Sequence, residues 1–220
     1  IASSREVVMK IAAKHPASIG IGILLKEAVG LGLATPPGLS GFAGSRPSPS
    51  PVVRLFSCTV PKAQVQVNIA LGDETVACDE VHGAPLDVAA IARPDTPSAP
   101  MSSDMIAVPL IKLAWGRSGD KGNKANIGII APRPEYLPYI CDALTEAAVR
   151  ARFAHFLADA SAGSVERFVL PGAHAINFLL HDVLGGGGVA SLRNDPQGKG
   201  YAQLLLSCPI PMPGKLAKTV

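Results

Sequence analysis

Aromatic side chains make up only 5% of this 220-residue chain, and it holds a single tryptophan. Charged residues are also sparse, at 17%, and the formal net charge is only +3. Its lysines and arginines are spread along the chain. A nucleic-acid binder would show a basic stripe interleaved with aromatics for base stacking, so the pattern argues against that class. The four cysteines, Cys58, Cys78, Cys141 and Cys208, form no C-x-x-C pair, and no histidines fall at zinc-ligand spacing. That argues against a zinc site and a disulfide framework, and for buried thiols in a reducing compartment. No apolar run reaches the roughly 18 residues a membrane span needs. The nearest, from Ile19 to Ala34, is broken by Lys26, Glu27 and several glycines. No internal repeat is visible.

What is present is a large apolar fraction, 48%, enough for a sizeable core in one domain or two small ones. The first residue is Ile1, and Ser3 and Glu6 stand at capping-box spacing before Val7, Val8 and Ile11. This predicts a helix ending near His15, where Pro16 disfavours helical geometry. It also suggests a piece of a longer protein, so localisation signals lie outside the sequence in hand. A short helix is expected over Ile23–Val29, and a long loop over the Pro-, Gly- and Ser-rich residues 35–51.

Strands follow. Val52–Val60 is β-rich, and Val65, Val67, Ile69 and Leu71 alternate as one buried face of a hairpin that turns at Gly72-Asp73 and returns through Thr75–Val81. Residues 83–105, rich in proline and serine, read as a mobile linker. Beyond them come a strand over 106–114, a polar loop, and a strand over 127–131. A helix runs from Pro134 to about Leu157, followed by a strand over Val165–Leu170 and a short helix over Ala175–Leu184. A last strand spans Tyr201–Cys208, before a Pro-rich end and a solvated tail from Lys215. The fold class is α+β, a two-layer sandwich with helices on one face of a mostly antiparallel sheet.

The densest chemistry lies in Trp115-Gly-Arg-Ser-Gly-Asp-Lys-Gly-Asn-Lys-Ala-Asn126. Gly119 and Gly122 let successive backbone N–H groups converge on one point, with Ser118 and Asn123 as polar ligands. Arg117, Lys121 and Lys124 supply positive charge, so the loop can cradle an anion. Asp120 is a candidate acid/base or a single magnesium ligand. The spacing is not that of a P-loop. The alternative is a solvated turn whose Asp and Asn side chains serve its backbone.

Gly185–Gly188, with Gly186 and Gly187 at its centre and Arg193 and Lys199 nearby, is the second candidate. A four-glycine run suggests close approach to a ligand or another chain; a helix C-cap with a flexible connector is the plainer reading. His174, beside Asn177 at the start of the short helix, is a candidate general base or a surface residue. Arg46 and Arg54 flank a stiff proline segment that can hold an acid or merely order a loop. Cys141 has no adjacent base and is not a nucleophile candidate. No metal-binding set is found, and no motif implies a bound cofactor.

Several segments together resemble the acyclic terpene utilisation (AtuA) family. They are Leu113-Ala-Trp-Gly-Arg-Ser-Gly-Asp-Lys-Gly-Asn123, Asn126-Ile-Gly-Ile-Ile130, Pro134-Glu-Tyr-Leu137 and Val165-Glu-Arg-Phe168. Further on stand Leu170-Pro-Gly172, Asn177-Phe-Leu-Leu180, Leu184-Gly-Gly-Gly-Gly188 and Ser191-Leu-Arg193. Upstream, Gly44-Ser-Arg-Pro47, Pro51-Val-Val-Arg-Leu-Phe-Ser57 and Val60-Pro-Lys62 are similar to the end of that family's large N-terminal domain. The resemblance covers residues 40–212 and only weakly the first 40.

It implies residues 1–82 as the end of a larger α/β domain, 83–105 as a linker, and 106–212 as a ferredoxin-like domain. That domain departs from a simple β-α-β-β-α-β order by having two strands before its first helix. By function, the resemblance implies part of an enzyme of acyclic terpene or branched-chain acyl-CoA catabolism, with a lyase or hydratase step. The substrate would be an acyl-CoA or a small carboxylic acid. The alternative is a non-catalytic assembly module for homo-oligomerisation or for docking on a biotin-dependent acyl-CoA carboxylase. No membrane or nucleic-acid partner is expected. The expected compartment is the cytoplasm, or the mitochondrial matrix in a eukaryote.

Overall fold

The computed structural model describes residues 7–34, 37–40, 47–78 and 83–220. In the described part before Val108 no residue is buried. Ser3 and Glu6, the basis of the expected capping box, lie outside the described residues, as does Arg46. Residues 7–15 are not helical. Helix α1 begins later, at Ser18–Ala28, and a single turn, α2, follows at Leu31–Ala34. Pro16 therefore precedes a helix rather than ending one. Residues 52–60 form no strand, contrary to their β-rich composition. The hairpin exists as β1, Val67–Leu71, and β2, Glu74–Cys78, turning at Gly72 with a φ of 63°. Both its faces are exposed, so the alternation there does not mark a buried face. Residues 83–104 carry no regular structure apart from one 3-10 turn, and Ala99 N donates to Asp142 Oδ2 at 2.9 Å.

From Met105 the chain packs around one core. Strand β3, Met105–Pro109, leads through a 3-10 turn into β4, Trp115–Lys121, and β5, Lys124–Ile130. The loop expected between two strands is thus itself a strand, a two-residue turn and a strand. Gly122, with a φ of 66°, takes the first turn position where a tight hairpin needs glycine.

The long helix is two. Helix α3, Leu137–Ala143, stops at Leu144, and Thr145 Oγ1 accepts from Ala148 N at 3.1 Å to cap α4, Glu146–Phe153. Strand β6 is Val165–Leu170.

Residues 175–180, expected as a helix, form β7, Ala175–Leu180, with Ile176, Phe178 and Leu180 buried. A six-residue apolar run fits either period, and pairing on both sides decides for the strand. Residues 201–206, expected as a strand, form helix α5, Tyr201–Leu206. The Pro-rich end is β8, Pro209–Pro213, antiparallel to β3. Its prolines alternate with the buried Ile210 and Met212, which keeps the missing N–H groups off the β3 side. The tail is partly docked through α6, Gly214–Ala217, and Thr219 Oγ1 accepts from Arg133 at 3.0 Å.

The main sheet runs β4-β5-β7-β6, antiparallel throughout. Starting from β5, the order is β-α-β-β-α, and the strand that would complete β-α-β-β-α-β comes first, as β4 beside β5. Three strands of this domain, β3, β4 and β5, precede its first helix against the two expected, and only β4 and β5 belong to the main sheet. Ala125, Ile127, Ile129, Ile176, Phe178 and Leu180 point inward and belong to one core with residues of α3, α4 and α5. Each such aliphatic side chain stabilises the fold by roughly 1.5–3 kcal/mol. The opposite face of the sheet carries no helix of this core.

Candidate anion-binding site

Because side chains alternate along a strand, the polar residues of β4 divide between two faces. Arg117, Gly119 and Lys121 face outward, as do Lys124, Asn126 and Gly128 of β5. Ser118 and Asp120 stand on the other side, opposite Ile127 and Ala125. On the outer face Arg117, Ser118, Gly119, Lys121, Asn126, Gly128 and Lys199 line a hollow of about 330 Å³. Gly119 and Gly128 leave its floor without side chains. At Gly128 an added β-carbon would meet only ordinary contacts at 3.8 Å, whereas at Gly119 it would come within 3.2 Å of Lys199 Nζ.

Three cations border this hollow, and no carboxylate or imidazole lines it among the described residues. Lys121 stands directly across from Lys124. Like charges facing each other across strands are destabilising, which an anion between them would relieve. Lys121 Nζ donates to the Asp120 carbonyl at 2.8 Å. Beside the hollow, Asp120 Oδ1 lies 3.6 Å from Lys199 Nζ. Asn126 Nδ2 donates to Asn177 Oδ1 at 3.2 Å in the middle of the face.

The two glycine segments meet, although they do not share the hollow. Asn123 Oδ1 accepts from Gly186 N at 2.8 Å, and its Nδ2 donates to Asp182 Oδ1 at 3.1 Å. The Asn123 carbonyl accepts from Val183 N at 3.1 Å and Leu184 N at 3.3 Å. A β-carbon on Gly187 would sit 2.8 Å from the Gly122 carbonyl oxygen. Gly185, Gly186 and Gly187 all have positive φ. The close approach that a four-glycine run implies is therefore to this chain's own hairpin turn. None of these glycines lines the hollow.

Other expected site residues are occupied by the fold. Ser118 is buried; its Oγ donates to the Gly198 carbonyl at 2.6 Å, with the Lys199 carbonyl 3.0 Å away, and accepts from Ala202 N at 2.9 Å. It ties the start of α5 to β4. Asp195 adds to this through Oδ1 to Lys199 N at 2.9 Å and Oδ2 to Gly200 N at 2.8 Å, which holds Lys199 beside the hollow. Arg193 spends its guanidinium on the Val183 carbonyl and on the Phe156 carbonyl at 2.8 Å, and it lies 5.4 Å from the Phe156 ring centroid. This leaves it no role in an anion site beside Arg117.

His174 is exposed in a left-handed turn before β7, not at a helix start. The register puts it six residues along the sheet from the Asp120 row, roughly 20 Å away. Asp120 and His174 do not form one acid/base pair. His181 bonds to Glu166 Oε1 at 2.7 Å.

Cys141 is buried, and burial pushes its thiol pKa up, against any nucleophilic role. Burial also raises the partly buried Cys208, while Cys58 and Cys78 are exposed, so buried thiols describe only part of the set. Among the described residues no three or more His, Cys, Asp or Glu side chains converge as a metal site. No helix among them is long and apolar enough to cross a membrane.

Lys199 was expected beside the glycine run rather than beside Arg117, and Asn126 and Gly128 were not among the expected site residues. For the last two the signal was present, since Asn126 and Gly128 alternate with Ile127 and Ile129. Lys199 lies too far along the chain for spacing to reveal it.

An antiparallel four-stranded sheet with helices on one face and the other largely open defines a ferredoxin-like α+β domain. Residues 108–211 match the family model of the AtuA ferredoxin-like domain. The match spans β3 to β8, the same residues that build the core. No curated protein and no solved structure matches the chain.

Proposed function

We propose that the outer face of this domain holds the anionic part of a substrate in an enzyme of acyclic terpene or branched-chain acyl-CoA catabolism. The observation that carries this is the hollow over Gly119 and Gly128, bordered by Arg117, Lys121 and Lys199 with Asn126 beside it. Its chemistry suits the phosphates of a CoA ester or the carboxylate of a small acid. The face binds rather than reacts: the proton transfers of a lyase or hydratase step fall to groups outside the hollow. Asp120 acts as a positioning residue for Lys199 in this arrangement.

A second reading, an assembly module for homo-oligomerisation or for docking on an acyl-CoA carboxylase, is favoured by one feature. Trp115, Ile130 and Leu170 expose an apolar row at the end of the same face.

Thermal denaturation with and without millimolar CoA separates the two. The anion reading expects a rise in melting temperature that shrinks as salt is added. A midpoint indifferent to CoA and to branched carboxylates, together with concentration-dependent assembly, would support the second reading instead.

A further inference from the structure

The open face changes character in steps along its strands. Trp115, Ile130, Ala175 and Leu170 stand in register across all four strands. Three of these are well exposed, at 69% for Trp115, 45% for Ile130 and 47% for Leu170. The next outward row is Arg117, Gly128, Asn177 and Phe168, and then Gly119, Asn126, Leu179 and Glu166. The last is Lys121 and Lys124. The face therefore runs from apolar, through an amide pair over a glycine floor, to cationic. The span from the Trp115 row to the Lys121 row is six residues, roughly 20 Å.

The middle of this track is open to a polar chain. Asn126 and Asn177 bond once to each other, which leaves Asn126 Oδ1 and Asn177 Nδ2 without a partner among the described residues. One acceptor and one donor thus remain on the face, enough to meet an amide group in an extended ligand. The β6 side is partly covered, because Arg93 lies 5.1 Å from the Phe168 ring centroid and 4.0 Å from Glu166. The free track is the part over β4, β5 and β7.

We infer that the ligand lies lengthwise on this track as a CoA thioester. Its phosphates sit among Lys121, Lys124 and Lys199, and its amide-bearing arm crosses the Asn126–Asn177 pair. Its acyl group rests on Trp115 and Ile130. The inference rests on the anion reading above and adds to it the orientation and a residue that sets acyl preference, Trp115. An acyl chain on an exposed apolar row gains about two- to fourfold in affinity for each methylene covered.

Trp115 is the only tryptophan, so its emission reports that end of the track alone. The full chain is titrated with CoA, acetyl-CoA, octanoyl-CoA and octanoate, by calorimetry and by tryptophan emission. Octanoyl-CoA should bind at least tenfold more tightly than acetyl-CoA and shift the emission to the blue, while CoA alone binds without that shift. In Trp115→Ala, followed by calorimetry, CoA affinity should persist and the chain-length preference should shrink severalfold. CoA and octanoyl-CoA binding alike, with emission unmoved, would overturn the orientation and leave the anion site standing. Octanoate binding as tightly as octanoyl-CoA would assign the anion to a carboxylate and overturn the thioester. Self-association that Trp115→Ala abolishes, with no chain-length effect, would make the row a contact between copies. No binding of any CoA compound would remove the anion reading itself.

Discussion

Gly187 shows how a single position can look like a ligand site while serving the fold. Its φ of 81° suits glycine, and any β-carbon would press on the Gly122 carbonyl. Gly187→Ala should therefore cost about 1–3 kcal/mol, read as a lower urea midpoint, with CoA affinity little changed. An unchanged midpoint would mean that the two glycine segments are not packed as described. Ser118 is a parallel case. Its hydroxyl serves buried partners at Gly198 and Ala202, so Ser118→Ala should cost about 1–3 kcal/mol by leaving them unsatisfied. Loss of ligand affinity with full stability would instead return Ser118 to the site. Neither role was legible from the chain, because the partners are remote in sequence. Arg117 and Lys121 were legible as cations near glycines, and they remain at the hollow.

At the scale of elements, the strands with clean surroundings were readable and the ambiguous apolar runs were not. Residues 175–180 satisfy a helical and a strand period equally, and only their place between β5 and β6 resolves them. Residues 201–206 look β-like by content, but the turn closed by Asp195 and the hydroxyl of Ser118 starts a helix there. The Gly122-Asn123 dipeptide was a hairpin signal in plain view, masked by the charges around it.

The anchoring of α5 also carries a pH dependence. The Tyr201 phenol is held above its ordinary pKa by burial, opposed in part by its hydrogen bond from Arg193, and it donates to the Val183 carbonyl at 3.0 Å. The unfolded phenol titrates near pH 10. The stability tied to the neutral phenol is thus complete below about pH 10 and is lost as the pH rises toward the folded pKa. Denaturation midpoints between about pH 9 and 11 should fall more steeply in the wild type than in Tyr201→Phe. Parallel slopes would detach Tyr201 from the effect.

For the molecule as a whole, the α+β class was legible, because the class survives errors in single elements; the strand β4 was not, since its polar and glycine residues read as a loop. The open sheet face was not, since only the sheet register shows that Arg117, Gly128 and Asn126 share a side and that Lys199 reaches them. The described residues before Val108 contribute no buried side chain, so the core among the described residues lies, apart from Met212, within the stretch that matches the AtuA ferredoxin-like domain.

The central claim is that this core presents a cationic hollow to an anionic substrate. Calorimetric titration of CoA into the full chain, beside the Lys121→Gln/Lys199→Gln double variant, tests it most directly. The account predicts salt-sensitive binding to the wild type and a loss of tenfold or more in the variant, with both proteins melting within a few degrees of each other. Equal affinity in the two proteins, or no binding to the wild type at low salt, would contradict it.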